Sequence, residues 1–390
     1  MKKLHRVLSV ATACALAMSM LAGCGAAKTT SSNTFKIGGI GPTSGAAAIY
    51  GSDVRDAIQI AVDEINEKGG INGYQIEYKF EDDEHNAEKS VNAYNTLKDW
   101  GMQMLVGCVT SAPCIAVSEK THDDGMFQLT PSGTAVNCVQ YDNAFRLCFS
   151  DPNQGKASAQ YIAGNAELKG STIAIIYDSS TEYSTGIHDS FVAEAGSLGL
   201  NIAVDSSFTV DSATDFSVQL QSAKDAGADL IFLPIYYQEA SLILTQANTM
   251  GYDPTFFGVD GMDGILEVEN FDVSLAEGVY LLTPFSATAE DELTVNFVNK
   301  FKEKTGHVPN QFGADAYDAV YAIKAVAELK NVTPSMAVSE MGATMAAGMT
   351  EVTLDNVLTS PTTITWTADG EPNKDPRAVI IQGGVYVLAE

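Results

Sequence analysis

Residues 104–134, MLVGCVTSAPCIAVSEKTHDDGMFQLTPSGT, carry two groups of small hydroxyl side chains, each directly after an apolar run. The run 104–107 leads into Cys108, Val109, Thr110 and Ser111, and the run 126–130 into Pro131, Ser132, Gly133 and Thr134. Hydroxyls donate and accept hydrogen bonds, and backbone N–H groups at a turn or helix start attract an anion. In parallel α/β sheets, ligands bind beyond the carboxyl ends of the strands. Ser111, Ser132 and Thr134 therefore read as the holders of a small polar ligand. Residues 228–260 repeat the plan, with Tyr236, Tyr237 and Asp260 at the strand ends. Two such units suggest two α/β lobes facing across a cleft; the plainer alternative is repetition of β-α-β units within any α/β protein.

The flanking elements fit either arrangement. Residues 35–40 predict a buried strand. Residues 54–68 predict a helix with Val54, Ala57, Ile58, Ala61, Val62 and Ile65 on one stripe, closed by Gly69-Gly70. Gly39-x-Gly41 hints at a dinucleotide turn, but Ser44 replaces the third glycine, so nucleotide binding is not expected. The run Glu81-Asp82-Asp83-Glu84-His85 reads as a solvated strand-end loop, a cation site being the sharper alternative. Strands and helices then alternate to about residue 284, which implies parallel sheets covered on both faces. Helices follow at 291–305 and 314–329. From 361 to 388 the pattern changes to alternation and turns, the mark of a closing antiparallel ribbon.

A formal charge of −27 argues against nucleic acid and anionic surfaces as partners. Lys2, Lys3 and Arg6 precede an apolar stretch at 7–20, too short for a comfortable span and flanked as in a signal peptide. The site Leu21-Ala22-Gly23-Cys24 resembles a bacterial lipoprotein signal, which implies a lipidated Cys24, a tether to residue 34 and membrane attachment by the lipid only. Export is compatible with disulfides among Cys108, Cys114, Cys138 and Cys148, and the short loop between Cys138 and Cys148 makes that pair the favoured bridge. No metal site is expected, since no histidine stands near these cysteines at zinc-binding spacing.

Several motifs in order carry a family resemblance: Gly41-Pro42-x-Ser44-Gly45 with Tyr50-Gly51, Asn66-x-Lys68-Gly69-Gly70-Ile71-x-Gly73, Thr130-Pro131-Ser132-Gly133-Thr134 and Ala368-Asp369-Gly370. The chain resembles the type I periplasmic solute-binding proteins, more narrowly the leucine/isoleucine/valine-binding family of ABC importers. The resemblance implies two Rossmann-like lobes with parallel-rich sheets, three hinge crossovers and a ligand cleft between them. The lobes are expected at 35–150 with 284–345 and at 151–283 with 346–390, after a signal at 1–23 and a tether at 24–34. It further implies that Ser111 and Thr134 hold the α-carboxylate of an amino acid, and that Ser132 and Thr134 accept from its ammonium. Tyr183 and Tyr236 would reach in from the second lobe. Asp260, where close relatives use Glu, would pair with the ammonium, and Tyr50 and Phe312 would line the side-chain pocket.

No cofactor is implied, the partners are ABC permease subunits, and a monomer is expected. Catalysis is not expected, because Ser111 or Cys108 as a nucleophile lacks an identifiable base. A ligand sensor for a signalling receptor, or a binder of an amide or other small polar metabolite, is the alternative that the same fold can serve.

Overall fold

The computed structural model describes residues 34–389. The signal sequence and Cys24 lie outside the described residues. In chain order, β1 (Thr34–Gly41), α1 (Ala48–Glu67), β2 (Gln75–Asp82), α2 (Ala87–Trp100) and β3 (Met104–Gly107) come first. They are followed by α3 (Ser111–Asp124), β4 (Phe127–Thr130) and β5 (Ala144–Arg146). Their sheet runs β2-β1-β3-β4-β5, and every pair is parallel.

The second sheet is fed by α4 (Asp151–Gly164), β6 (Thr172–Asp178), α5 (Glu182–Leu198), β7 (Asn201–Phe208) and α6 (Ser217–Asp225). Next come β8 (Leu230–Leu233), α7 (Tyr237–Thr249), β9 (Thr255–Gly258) and β10 (Tyr280–Thr283). After α8 (Glu292–Thr305), α9 (Gln311–Leu329) and α10 (Val338–Met349), the chain ends in β11 (Arg377–Gln382) and β12 (Val385–Leu388). This sheet runs β12-β11-β10-β9-β8-β6-β7. It is parallel from β7 to β10 and antiparallel at β10–β11 and β11–β12, so the closing ribbon is present.

The short strands β3 and β4 are buried along their whole length, as strands covered on both faces must be. One of their covers is α1, whose Val54, Ala57, Ile58, Ala61, Val62 and Ile65 are buried. Gly51 lets this helix approach the preceding turn, since a Cβ there would stand 1.9 Å from the Pro42 carbonyl oxygen. Helix α9 joins the same layer: the Tyr317 and Tyr321 hydroxyls each donate to Glu64 of α1 over 2.7 Å. In the second sheet Phe191 stacks on Phe232 at 3.9 Å, filling the space between α5 and β8.

The chain passes between the sheets after β5, after β10 and before β11. The lobe boundary expected at residue 346 falls inside α10. Beyond α10, the Trp366 indole donates to the Arg146 carbonyl over 2.7 Å, and the Arg146 N–H donates to the Gly370 carbonyl over 3.0 Å. This stretch therefore packs on the edge strand β5 of the first sheet, and only the chain after it joins β10.

The bridge expected between Cys138 and Cys148 is not formed. Cys108, Cys114, Cys138 and Cys148 are free and buried. The thiol of Cys138 turns toward the Ser111 carbonyl at 3.7 Å, whereas Cys148 lies beside Arg146 and Asp315. The short loop between them does not aim the two thiols at each other. The run 81–85 is likewise not simply solvated: Asp83 is fully buried, and burial pushes its carboxyl up to about 7.

Candidate ligand-binding site

The hydroxyl clusters are built into one loop assembly. Thr130, the last residue of β4, donates to the Cys108 carbonyl over 2.6 Å, and its oxygen accepts the Gly133 N–H at 2.7 Å. Ser132 donates to the Val109 carbonyl over 2.7 Å, and Ser111 Oγ accepts the Ala135 N–H at 3.2 Å. The loops after β3 and β4 are thus stitched together. From behind, Arg146 donates to the carbonyls of Gly133 and Ala135, each over 2.9 Å. Arg146 is completely buried, so its charge is spent on the loop carbonyls and on Glu371, 3.3 Å away.

With the carbonyls drawn back toward Arg146, two features remain for a ligand. Helix α3 starts at Ser111 with no side-chain cap; Pro113 has no N–H and the Cys114 N–H donates to the Thr110 carbonyl, so the Ser111 and Ala112 N–H groups are the ones left for a ligand. The Thr134 hydroxyl is buried without a hydrogen-bond partner. An uncapped helix start and a free hydroxyl together suit a carboxylate.

The groups from the second sheet meet around Asp260. Tyr183, in the first turn of α5, donates its hydroxyl to Asp260 Oδ1 over 2.6 Å. The Gly261 N–H points at the same pair, 2.7 Å from Asp260 Oδ1 and 3.0 Å from the Tyr183 oxygen. Burial raises the Asp260 carboxyl to about 6, with these donors and Gln154 pulling it back down. The carboxylate is therefore largely ionised at neutral pH. Tyr236 stacks on Tyr183 with ring centroids 4.4 Å apart.

Tyr50 and Phe312 are both buried, and their ring centroids stand 4.2 Å apart. Tyr50 also lies 5.8 Å from Tyr236 and donates its hydroxyl to the Gly261 carbonyl. Its side chain therefore reaches from α1 to the turn that carries Asp260.

The N-terminus of α4 connects the two clusters. The Asp151 N–H donates to the Thr134 carbonyl over 2.9 Å, and Gln154 Oε1 accepts the Asp260 N–H at 3.0 Å. Burial drives the Asp151 carboxyl well above the ordinary range; Asp260 adds to this, and the nearby Thr134 hydroxyl opposes it. Neither Asp151 carboxylate oxygen nor Gln154 Nε2 completes a hydrogen bond.

Sequence reading missed three contributors. His85 turns inward, its Nδ1 2.8 Å from the Thr110 hydroxyl and its ring edge-on to Tyr236 at 5.4 Å. Burial lowers its pKa and favours the neutral imidazole. Asp151 and Gln154 lie where the expected lobe boundary falls, and the available signal is the run of polar residues directly after the buried segment 145–150.

A sequence model of the family described as periplasmic binding protein matches residues 34–384. The chain belongs to that family. The periplasmic binding protein is 32% identical over 228 residues to the Leu/Ile/Val-binding protein BraC3 of Rhizobium johnstonii, a match covering 58% of this chain and 61% of that one. It therefore spans less than two thirds of BraC3. It is 29% identical to the leucine-, isoleucine-, valine-, threonine- and alanine-binding protein of Pseudomonas aeruginosa, over 75% of this chain and 77% of the other. Among solved structures it is similar to LivJ of Streptococcus pneumoniae, crystallised with isoleucine. That pair is 27% identical with a TM-score of 0.81, over 92% of this chain and 99% of LivJ. The two parallel-rich sheets are those of the type I fold, and the resemblance read from the motifs is met.

Proposed function

We propose that this periplasmic binding protein captures an α-amino acid, branched-chain or similar, between two lobes and delivers it to the permease subunits of an ABC importer. The observation that carries the reading is the pairing of two complementary ends across the N-terminus of α4. At one end stand the uncapped start of α3 and the unpartnered Thr134 hydroxyl. At the other stands Asp260, buried and oriented by Tyr183 and the Gly261 N–H. A zwitterion satisfies both, the carboxylate at α3 and the ammonium at Asp260, through charge-assisted hydrogen bonds. Ser111 and Ser132 shape the first end, Tyr236 flanks the second, and Tyr50 and Phe312 face the ligand's side chain.

In this reading residues 34–150 and 286–374 move as one lobe, and 151–285 with 375–389 as the other. The ligand favours the closed arrangement because its two charges are neutralised by groups from different lobes. The names of the relatives support a branched-chain amino acid as cargo. Cys24 as the lipidated anchor of a monomeric extracytoplasmic protein belongs to the same reading, and no described helix is long and apolar enough to cross a membrane.

Calorimetric titration of the purified protein with the common amino acids tests the function. Saturable one-to-one binding of leucine, isoleucine or valine is expected. Absence of binding by every α-amino acid would overturn it.

A further inference from the structure

Asp151 and Asp260 are two buried acids in one neighbourhood, and their surroundings treat them differently. Asp260 Oδ1 receives the Tyr183 hydroxyl at 2.6 Å and the Gly261 N–H at 2.7 Å. Asp151 is 1% exposed, and neither of its carboxyl oxygens completes a hydrogen bond. Its own helix does not serve it. The Asp151 N–H goes to the Thr134 carbonyl, Pro152 has no N–H, and the Gln154 N–H goes to the Ser150 carbonyl. On the facing side α5 presents Gly186, where an added Cβ would stand 3.1 Å from Asp151 Oδ2. That wall is close and carries no side-chain donor.

The charges around Asp151 do not favour its ionisation. Asp260 and Glu182 are acids, and Arg146, the nearby cation, commits its donors to the carbonyls of Gly133, Thr134 and Ala135. Where two buried carboxyls repel each other, the one with fewer donors keeps the proton. Asp260, with two donors on one oxygen, is the carboxylate of this pair, and Asp151 is the acid. An uncharged carboxyl has an O–H to place, and the Thr134 hydroxyl stands beside it. That hydroxyl is itself buried and unpartnered. A hydroxyl that accepts at its oxygen still has its own proton to give, and hydrogen bonds linked in this way strengthen one another.

We propose that Asp151 is a positioning residue of the cleft: as the uncharged acid it donates to the Thr134 oxygen, and so aims the Thr134 hydroxyl proton at the ligand's carboxylate. Asp151 itself touches no ligand. The inference rests on the reading above that Thr134 serves that carboxylate.

Infrared spectroscopy and calorimetry on the full chain test it. At neutral pH and without ligand, wild type should show a protonated-carboxyl band that Asp151→Asn lacks. Asp151→Asn should bind leucine within roughly threefold of wild type, since its amide N–H still donates to Thr134. Asp151→Leu, of similar shape but with no donor, should bind about tenfold more weakly, and that loss should vanish in a Thr134→Ala background. A purely structural role would persist in that background. The band and the Asn variant decide the matter if Asp151→Leu does not fold. No difference in the band, a tenfold loss in Asp151→Asn, or a Leu effect that survives without the Thr134 hydroxyl would overturn the proposal. The infrared measurement needs no ligand. A wild type with the band that binds no amino acid would therefore overturn the functional reading and the role at the ligand with it. One that binds leucine without the band would overturn this proposal alone.

Discussion

Tyr183 donates its hydroxyl to Asp260 Oδ1 over 2.6 Å, and the Gly261 N–H reaches both atoms of that hydrogen bond. The carboxylate is held in one orientation before any ligand arrives, so its ordering cost is met by folding rather than by binding. Asp260→Asn keeps the shape and removes the charge. Amino-acid affinity should fall at least tenfold, as a hydrogen bond to a charged group is worth about 1.5–3 kcal/mol. Calorimetry showing near-equal affinity would remove Asp260 from the ammonium site.

Thr134→Ala should weaken every amino acid by a similar factor, because in the proposed binding mode its hydroxyl serves the carboxylate that all amino acids share. Phe312→Ala should instead reorder preferences among side chains. It should also lower the melting temperature, since Phe312 packs 4.2 Å from Tyr50 and truncating a buried aromatic costs about 3–5 kcal/mol. A uniform affinity loss across leucine, valine and alanine would take Phe312 out of the specificity pocket.

Lowering the pH should move stability and affinity in opposite directions. Burial raises Asp260, Asp263 and Asp318 to about 6, and Asp83 and Glu267 to about 7. A carboxyl raised above its unfolded value binds more protons folded than unfolded in the window between the two, so stability falls as pH rises through that window. His85, lowered by burial, opposes this as a single group. His307, raised to about 9, contributes stability that is already complete below its unfolded value of 6.5. The unliganded protein should therefore melt higher at about pH 5 than at about pH 7. The extra stabilisation by a bound amino acid should shrink over the same interval as Asp260 takes up a proton. A melting temperature that falls steadily from pH 7 to pH 5 would contradict the assignment of these buried acids.

Arg146→Met should lower the melting temperature. It strips the buried loop carbonyls of Gly133 and Ala135 of their donor, each such loss costing about 1–3 kcal/mol, and leaves the half-buried Glu371 unpaired. Amino-acid affinity should fall with it, because the same carbonyls then turn toward the carboxylate site. Unchanged thermal stability would show that the guanidinium does not hold the loop.

Alkylation under denaturing conditions without reductant should label Cys108, Cys114, Cys138 and Cys148, with little labelling of the folded protein. Recovery of a Cys138–Cys148 peptide pair resistant to alkylation would restore the bridge that the fold leaves unmade.

Read alone, the chain determined the alternation of strands and helices, the antiparallel close and the strand ends that carry Ser111, Thr134, Tyr236 and Asp260. Those are local properties: the period of apolar residues reports which face of an element is buried, and small polar residues report where it stops. Only the tertiary structure decided which loops meet. It turned His85 and Asp83 inward, set Asp151 between Thr134 and Asp260, spent the Arg146 charge on loop carbonyls, separated Cys138 from Cys148 and laid Trp366 on β5. Each of these depends on a polar group finding partners from remote segments inside a low-dielectric interior, and no spacing along the chain encodes that convergence.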